Sequence, residues 1–287
     1  MRDDVPSLTA RAVALARGVA SLPGGRRAPA PDPLAARLLD PLLGRALDGL
    51  APIAAFTPAV SWALRLASLG LVDHLALRTA AIDAALRAAC ARDVPQVVLL
   101  GAGLDARAFR VPELAGRRVL EVDHPATQRF KRRRVEGLTP FASELRFVSV
   151  DFTREDLGVR LAEEGHDTTR ATFWIWEGVV PYLPEEVTRA TLATLAARSA
   201  AGSGLAVTYG TRDDALWLAR LGAPVHLAFR ALGEPLHGLT TVERMQGLLA
   251  ATGWHVEHDS GPADWRRRFG YGRLLTIEER LAVATKA

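Results

Sequence analysis

A glycine turn followed by an acid is the feature of this chain best suited to binding a ligand. The stretch VVLLGAGLDARAFR, residues 97–110, places Gly101 and Gly103 directly after an apolar run, and Asp123 follows Gly101 by 22 residues. Glycines at a strand end let the backbone approach a ligand, and an acid ending the next strand accepts hydrogen bonds from ribose hydroxyls. With Ala106 the stretch matches the dinucleotide pattern G-x-G-x-x-A, so the turn alone is compatible with NAD and with S-adenosylmethionine (SAM).

Asp105, inside the same turn, favours one of these two ligands. A pyrophosphate gains from bare N–H groups and positive charge at a helix N-terminus, whereas the carboxylate of Asp105 repels a phosphate at close range. SAM carries a sulfonium and an ammonium group, and it therefore suits an acid. The alternative interpretation is that Asp105 caps the helix that follows it.

Acids also end the third and fourth apolar runs of this part of the chain. Asp151 closes the run SVD and Glu177 closes IWE, as Asp123 closes the second run. Parallel strands present their carboxyl ends at one edge of a sheet, which is where doubly wound folds bind ligands. Asp123, Asp151 and Glu177 therefore predict an acidic ligand-binding rim.

The elements that position these residues alternate between short apolar runs and helical segments. The first 93 residues show helical periodicity, and from Val94 onward β-branched runs alternate with helices, which indicates a parallel sheet. A helix over 240–252 ends at Gly253. The last run has only residues 261–278 before it, rich in Gly, Arg and Pro, so it is expected to enter antiparallel. The predicted strands cover 94–100, 117–123, 145–151, 171–177, 204–210, 254–259 and 279–286.

This order predicts an α/β fold of the class I SAM-dependent methyltransferase type. That fold is Rossmann-like, with a seven-stranded, mostly parallel sheet and an antiparallel last strand. We predict an N-terminal helical cap region over 1–93 and a SAM-binding domain over 94–287. Residues 211–239 exceed an ordinary connection and are interpreted as a lid inserted after the fifth strand.

Composition and charge argue against several other classes of protein. The formal charge is +4 and charged residues make up 24% of the chain, which is typical of a globular protein without a strong nucleic-acid signal. The basic run Lys131 to Arg134 is interpreted as a solvated helix face. Cys90, the single cysteine, excludes an internal disulfide and is expected to be buried on a helix. No signal peptide or membrane-spanning run is recognised, so a cytoplasmic protein is predicted.

Six pieces of the sequence together resemble the leucine carboxyl methyltransferase family, in particular its bacterial branch of small-molecule, polyketide-type O-methyltransferases. They span most of the chain up to about residue 210, and their order and spacing carry the resemblance, which a G-x-G alone would not. The pieces are DPLAARLL (32–39), RTAAID (78–83), VVLLGAGLDARAFR (97–110), EVDHP (121–125), VDF (150–152) and EGVVPYL (177–183).

The resemblance implies a role for individual residues in binding SAM. Arg78 is similar to the family arginine that pairs with the SAM carboxylate, and Gly101 to the glycine under the methionyl part. Asp123 resembles the acid that holds the ribose, and Glu177 the acid near the SAM amino group. Gly103 and Asp105 belong to the same turn, Asp151 and Phe152 match the adenine positions, and Asp83 and Arg107 are expected to support Arg78 and the turn.

The implied function is methyl transfer from SAM to a carboxylate or phenolic oxygen of a small molecule, in secondary metabolism, with S-adenosylhomocysteine (SAH) as product. Tyr182, Tyr209 and Arg230 are the candidates for substrate contact. His226 and His237 are candidates for a base or for substrate positioning, and His74 is a weaker one. The alternatives are an NAD(P)-dependent oxidoreductase and a non-enzymatic SAM-binding regulator. No metal, nucleic-acid or membrane partner is expected, and the N-terminal helices either cover the active site or form a homodimer.

Overall fold

The computed structural model describes residues 7–24, 26–151, 155–211, 238–272 and 279–286. Five helices precede the sheet, as the periodicity of the first 93 residues predicts. The predicted segment 32–50 divides into α2 and α3, and 58–91 divides at Gly70, whose φ of +90° ends continuous helical geometry. The helices are α1 (Leu8–Ala20), α2 (Ala35–Leu38), α3 (Pro41–Phe56), α4 (Pro58–Ala67) and α5 (Leu71–Ala91).

All seven predicted strands are present and form one sheet in the order β3-β2-β1-β4-β5-β7-β6. β1 to β5 are parallel, and β7 runs antiparallel to both β5 and β6, which confirms the predicted fold class. The strands are β1 (Gln96–Leu100), β2 (Arg118–Asp123), β3 (Glu144–Ser149), β4 (Thr172–Trp176), β5 (Gly204–Gly210), β6 (Trp254–Ser260) and β7 (Glu279–Lys286).

The remaining helices of the described residues lie along the chain between and beyond these strands. Gly253, at φ +87°, follows the predicted helix over 240–252, which is observed two residues shorter at its start and one shorter at its end. A helix within residues 261–278 was not predicted. It packs against α5 and makes no crossover. The helices are α6 (Arg107–Arg110), α7 (Pro125–Val135), α8 (Leu157–Glu163), α9 (Glu185–Ala197), α10 (Val242–Ala251) and α11 (Pro262–Phe269).

The sheet separates two apolar layers, and strand alternation decides which layer each side chain joins. Val97 and Leu99 of β1 join the layer that contains α1 and α5, whereas Val98 and Leu100 join the layer with α8, α9 and α10. The α5 layer also takes Leu281 of β7. Because α5 belongs to the same core as the sheet, the division of the chain near residue 93 does not separate two cores, and the two-region division stays a prediction.

Two residues on these helices test the interpretation of the composition. Cys90 is buried on α5 as predicted. Lys131 corrects the interpretation of the basic run, because it is buried on α7 and its Nζ lies 2.5 Å from Glu121 Oε2 on β2. Arg132 and Arg133 are exposed, so only part of this run forms a solvated face.

Within the described part of the chain, no single helix has the length and apolar character needed to cross a membrane. Only α4 and α5 taken together meet these criteria, and they are bent by 95° relative to each other.

Candidate active site

The glycine turn after β1 forms a tight backbone cradle. Gly101 and Gly103 have φ values of +64° and +49°, the left-handed region that glycine enters without steric cost. A Cβ built at Gly101 would lie 2.3 Å from Cγ2 of Val179, so only glycine leaves room there. The cradle lies at the carboxyl ends of β1 and β4, where the sequence predicts the ligand.

Asp123 fixes this cradle from the neighbouring strand. Its Oδ2 accepts a hydrogen bond from the Gly103 N–H, and its Oδ1 accepts one from the His124 N–H at 2.6 Å. Burial raises the pKa of Asp123, and the two backbone bonds oppose that rise. The structure therefore brings Asp123, the predicted ribose acid, next to the glycine turn, and Asp123 is hydrogen-bonded to the backbone of that turn.

Arg78 and Glu177 meet below the same edge. Glu177 is the first residue after β4. Strand alternation places its side chain on the same side of the sheet as those of Phe173 and Ile175, facing α5, the helix that carries Arg78. Its Oε1 lies 3.0 Å from Nε and 2.9 Å from Nη2 of Arg78. Gly178, at φ +66°, lies against the guanidinium group, since a Cβ there would be 3.5 Å from both terminal nitrogens.

Arg107 extends this pair into a buried cluster of charges. Its guanidinium contacts Asp83 at 2.7 Å, Glu177 at 2.7 Å and Asp105, and Asp83 also pairs with Arg110 at 2.6 Å. Burial alone would raise the pKa of Glu177, but Arg107 and Arg78 outweigh it and hold that pKa far below its usual range. Arg107 thus contacts Asp105 of the turn and Glu177, the acid that pairs with Arg78, while Asp83 pairs with Arg107 and Arg110, so the link to Arg78 runs through Glu177.

Asp105 is hydrogen-bonded at the start of the next helix, as the alternative interpretation of a helix cap expects. Its Oδ1 accepts a hydrogen bond from the Arg107 N–H at 2.6 Å, at the start of α6, and its Oδ2 pairs with the Arg107 guanidinium. Both oxygens of Asp105 are thus bound within the protein, and its contact with a cationic ligand stays a prediction.

Glu279 is a site residue that the sequence analysis missed. It begins β7 opposite Gly210, the last residue of β5, so the antiparallel strand brings it to the carboxyl edge of the parallel ones. Its Oε2 lies 2.8 Å from Arg78 Nη1 and 3.0 Å from His74 Nε2. Burial alone would raise the pKa of Glu279, but Arg78 and His74 lower it to about 2. The signal was available, because the first residue of an antiparallel strand lies at the edge where parallel strands end.

Asp151, another predicted cofactor residue, lies just beyond the end of β3. Asp151 follows β3 and is partly buried, and its N–H donates to Glu155 Oε2 at 2.8 Å. Phe152 lies outside the described residues, so its predicted contact with adenine stays a prediction.

The fold separates Tyr182 and Tyr209, the two predicted substrate residues that the structure describes. Tyr182, in the short helix Val180–Tyr182, is partly exposed at the carboxyl edge. Tyr209 corrects the prediction: it points into the α8–α10 layer, away from Arg78, and its hydroxyl donates to Asp259 Oδ2 at 2.6 Å. Burial and this bond raise its pKa. His226, Arg230 and His237 lie outside the described residues.

The predicted lid segment is held at both ends near this edge. Thr240 donates its N–H to the Gly210 carbonyl at 3.1 Å, and Gly238 donates to the Pro181 carbonyl at 2.9 Å. The segment therefore leaves and rejoins the described chain beside Tyr182. Its residues 212–237 lie outside the described part.

Comparison with known proteins identifies the family. The sequence model of the leucine carboxyl methyltransferase family matches residues 10–196. A relative from Frankia alni is 38% identical over 231 residues, 78% of this chain and 71% of the relative. One from Streptomyces coelicolor is 41% identical over 152 residues, 52% of this chain and 53% of the relative. Both are named as candidate SAM-dependent methyltransferases.

The matched region covers only part of some relatives. It spans 66% of the length of a Saccharopolyspora erythraea relative and 53% of a Mycobacteroides abscessus one. The chain thus spans about half to two thirds of the length of these curated relatives.

Solved structures share the fold at low sequence identity. A candidate methyltransferase from Thermobifida fusca superposes with a TM-score of 0.60 at 16% identity, covering 98% of this chain and 95% of that one. A DUF574 family protein from Streptomyces avermitilis gives a TM-score of 0.59 at 16% identity, covering 96% and 97%. From the family model and the Frankia relative, this chain belongs to the leucine carboxyl methyltransferase family, a family of SAM-dependent methyltransferases.

Proposed function

We propose that this protein transfers the methyl group of SAM to a carboxylate or phenolic oxygen of a small molecule, in secondary metabolism. The observation that carries the proposal is the set of acids at the ends of three consecutive strands around the glycine cradle. Asp123, Asp151 and Glu177 form that set, with Arg78 as the cation below it. Family membership supports the same reaction class.

The chemistry of these residues fits SAM. Its ribose needs acceptors, its amino-acid end needs one cation and one acid, and its adenine amine needs an acceptor. Asp123 would receive the ribose, Arg78 the carboxylate and Asp151 the adenine side. The cradle at Gly101, which a Cβ would fill, lets the backbone approach the methionyl part.

When bound, SAM supplies an electrophilic methyl group on a sulfonium. In the transfer, an oxygen–carbon bond forms as the carbon–sulfur bond breaks, and its electron pair stays on sulfur. The chain's task is to hold the acceptor in line with the methyl group and to exclude water. Tyr182 is the described residue that we assign to the acceptor side. A carboxylate acceptor is ionised at pH 7 and needs no base, whereas a phenol must lose its proton, which His226 or His237 would accept.

Calorimetric titration with SAM, SAH and NADH tests the ligand. Binding of SAM and SAH without binding of NADH is the expected result. The rival NAD(P)-dependent oxidoreductase predicts the reverse, and binding of NADH alone would reject the methyltransferase.

Asp123→Ala is the variant that probes the site. We expect it to weaken SAM binding by at least about a hundredfold, because the charge-assisted bonds to the Gly103 N–H of the turn and to the His124 N–H are lost with the ribose acceptor. Glu257→Ala, at an exposed acid on β6, is the control and should bind SAM as the wild type does. Unchanged affinity in Asp123→Ala would contradict this assignment of the site.

An activity assay separates an enzyme from a SAM-binding regulator. The protein is incubated with methyl-labelled SAM and matched carboxylic acids and phenols, and label in the acceptor is measured from pH 6 to 9. A carboxylate acceptor predicts a rate that changes little over this range, and a phenol predicts a rise with pH. SAM binding without label transfer across a broad acceptor panel would favour the regulator.

We also propose that the protein forms a homodimer through α3 and α4. These helices expose large apolar side chains, including Phe56 at 91% and Trp62 at 63%. Such patches mark association surfaces. Arg45 and Asp48, the exposed charges of α3, have opposite signs and suit a twofold interface in which each meets the other. Sedimentation should show a dimer that Phe56→Ser with Trp62→Ser dissociates, and a monomeric wild type at high concentration would contradict it.

A further inference from the structure

Glu279 lies outside the stretch matched by the family model, yet it joins the charged cluster through Arg78. It starts β7 at the carboxyl edge and faces α5, since Leu281, two residues on, joins the α5 layer. One of its oxygens, Oε2, accepts from both Arg78 Nη1 and His74 Nε2. Both of these bonds to the carboxylate are therefore made by Oε2 alone.

The other oxygen of Glu279, Oε1, is buried and has no hydrogen-bond partner among the described residues. The residue as a whole is only 6% exposed. A buried acceptor without a donor costs about 1–3 kcal/mol, and more when it is charged, so such an atom calls for an explanation. A donor supplied by a ligand would remove this cost.

Glu177, the acid that the family resemblance assigns to the amino group, differs from Glu279 because both of its oxygens accept hydrogen bonds. Its Oε1 accepts from Nε of Arg78 and lies within ion-pair distance of Nη2, and its Oε2 accepts from Arg107. Each oxygen of Glu177 thus already accepts a hydrogen bond from a guanidinium group. Oε1 of Glu279 accepts none from the described residues.

We propose that Oε1 of Glu279 accepts a hydrogen bond from the α-ammonium group of the methyl donor. Arg78, which touches the same carboxylate, would receive the donor's α-carboxylate. An acid and an arginine side by side would then bind the two charges of one amino-acid group. This inference rests on the proposed function and adds a binding residue to that site.

Ligands with and without the amino group test the proposal. Calorimetry measures the binding of SAH and of its deamino analogue, in which a thiobutyrate replaces homocysteine. Glu279→Gln should weaken SAH binding about tenfold or more, because a charge-assisted bond is lost, while the affinity for the analogue changes less than about twofold. Glu257→Gln, at an exposed acid on β6, is the control and should leave both affinities unchanged.

An equal loss for both ligands would overturn the proposal, because it would mean that Glu279 acts only by holding the fold. A selective loss of SAH binding in Glu177→Gln, but not in Glu279→Gln, would move the role to Glu177 and overturn it too. The wild type provides a measurement that needs no variant: it should bind SAH about tenfold more tightly than the analogue, and equal affinities would also reject the proposal. If the wild type binds neither SAM nor SAH, the proposed function itself fails, which is a different outcome.

Discussion

Two groups of buried charges lie on the α5 face of the sheet, and the pKa values of their acids are shifted in opposite directions. In the cluster around Arg78 and Arg107, each acid contacts a guanidinium group, and the pKa of Glu177 and of Glu279 is lowered. Between β2 and α7, Glu121 contacts a single cation among the described residues, the ammonium of Lys131, and burial raises the pKa of Glu121 to about 7 despite that contact. The number and geometry of the cationic donors therefore decide whether burial or attraction dominates.

The difference indicates what each group does. Guanidinium groups carry five donors in a fixed plane and can serve several acids at once, which keeps the edge charged and ordered for a ligand. A lysine is a single point charge, and Glu121 beside it can become neutral by binding a proton. We therefore expect the cluster to respond strongly to the loss of one member, and the pair to respond weakly and in a pH-dependent way.

The largest expected effect comes from Asp83→Ala. Asp83 is fully buried and pairs with both Arg107 and Arg110, so its removal takes from buried Arg110 its ion-pair partner and from Arg107 one of its three acids. We expect a loss of about 3–5 kcal/mol in the free energy of unfolding, measured by urea denaturation. The control is Arg87→Ala on the same helix, which breaks a half-exposed pair with Glu113 and should cost less than about 1 kcal/mol. Similar losses in both variants would remove the distinction between the cluster and a surface pair.

The fold was predictable because each apolar run had the length and period of its element. The antiparallel entry of β7 followed from the short connection before it, although that connection also contains α11. What escaped prediction was the helix itself: PADWRRRF is mostly polar, and its burial depends on Trp265, which packs in the α5 layer. Local composition does not reveal a helix whose stability comes from tertiary packing.

The site was predictable where a motif and a strand end coincide, as at Gly101 and Asp123. Glu279 and Lys131 escaped because their partners, Arg78 and Glu121, are far away or on another element, and only the sheet order joins them. Tyr209 was misjudged for a related reason. The sequence placed it correctly at the end of β5, but strand alternation turns it to the opposite layer.

The second prediction concerns the pH dependence of the Glu121 pair. Folded Glu121 holds its proton up to a pH of about 7, whereas the ordinary value is 4.5. The folded state is thus favoured below pH 4.5, and this contribution, on the order of 3 kcal/mol, is lost as the pH rises from 4.5 to about 7. Replacing both partners, as Glu121→Leu with Lys131→Met, should abolish this loss. Urea unfolding at pH 5 and pH 8 measures the free energy of unfolding of both proteins. From pH 5 to pH 8, the difference between the variant and the wild type should shift in favour of the variant by about 1–3 kcal/mol. The same difference at both pH values would contradict the raised pKa of Glu121.

The smallest effect is expected from Lys131→Met alone. Removing one partner of a buried ion pair usually costs several kcal/mol, because the other charge is left unpaired. Asp83→Ala is an example of this cost. Glu121 avoids most of that cost because its pKa is already about 7, and it becomes neutral when Lys131 is absent. At pH 8, holding the proton one pH unit above that value costs only about 1.4 kcal/mol, and at pH 5 the cost is close to zero. A loss of 3–5 kcal/mol at both pH values would show that the single pair behaves like the arginine cluster.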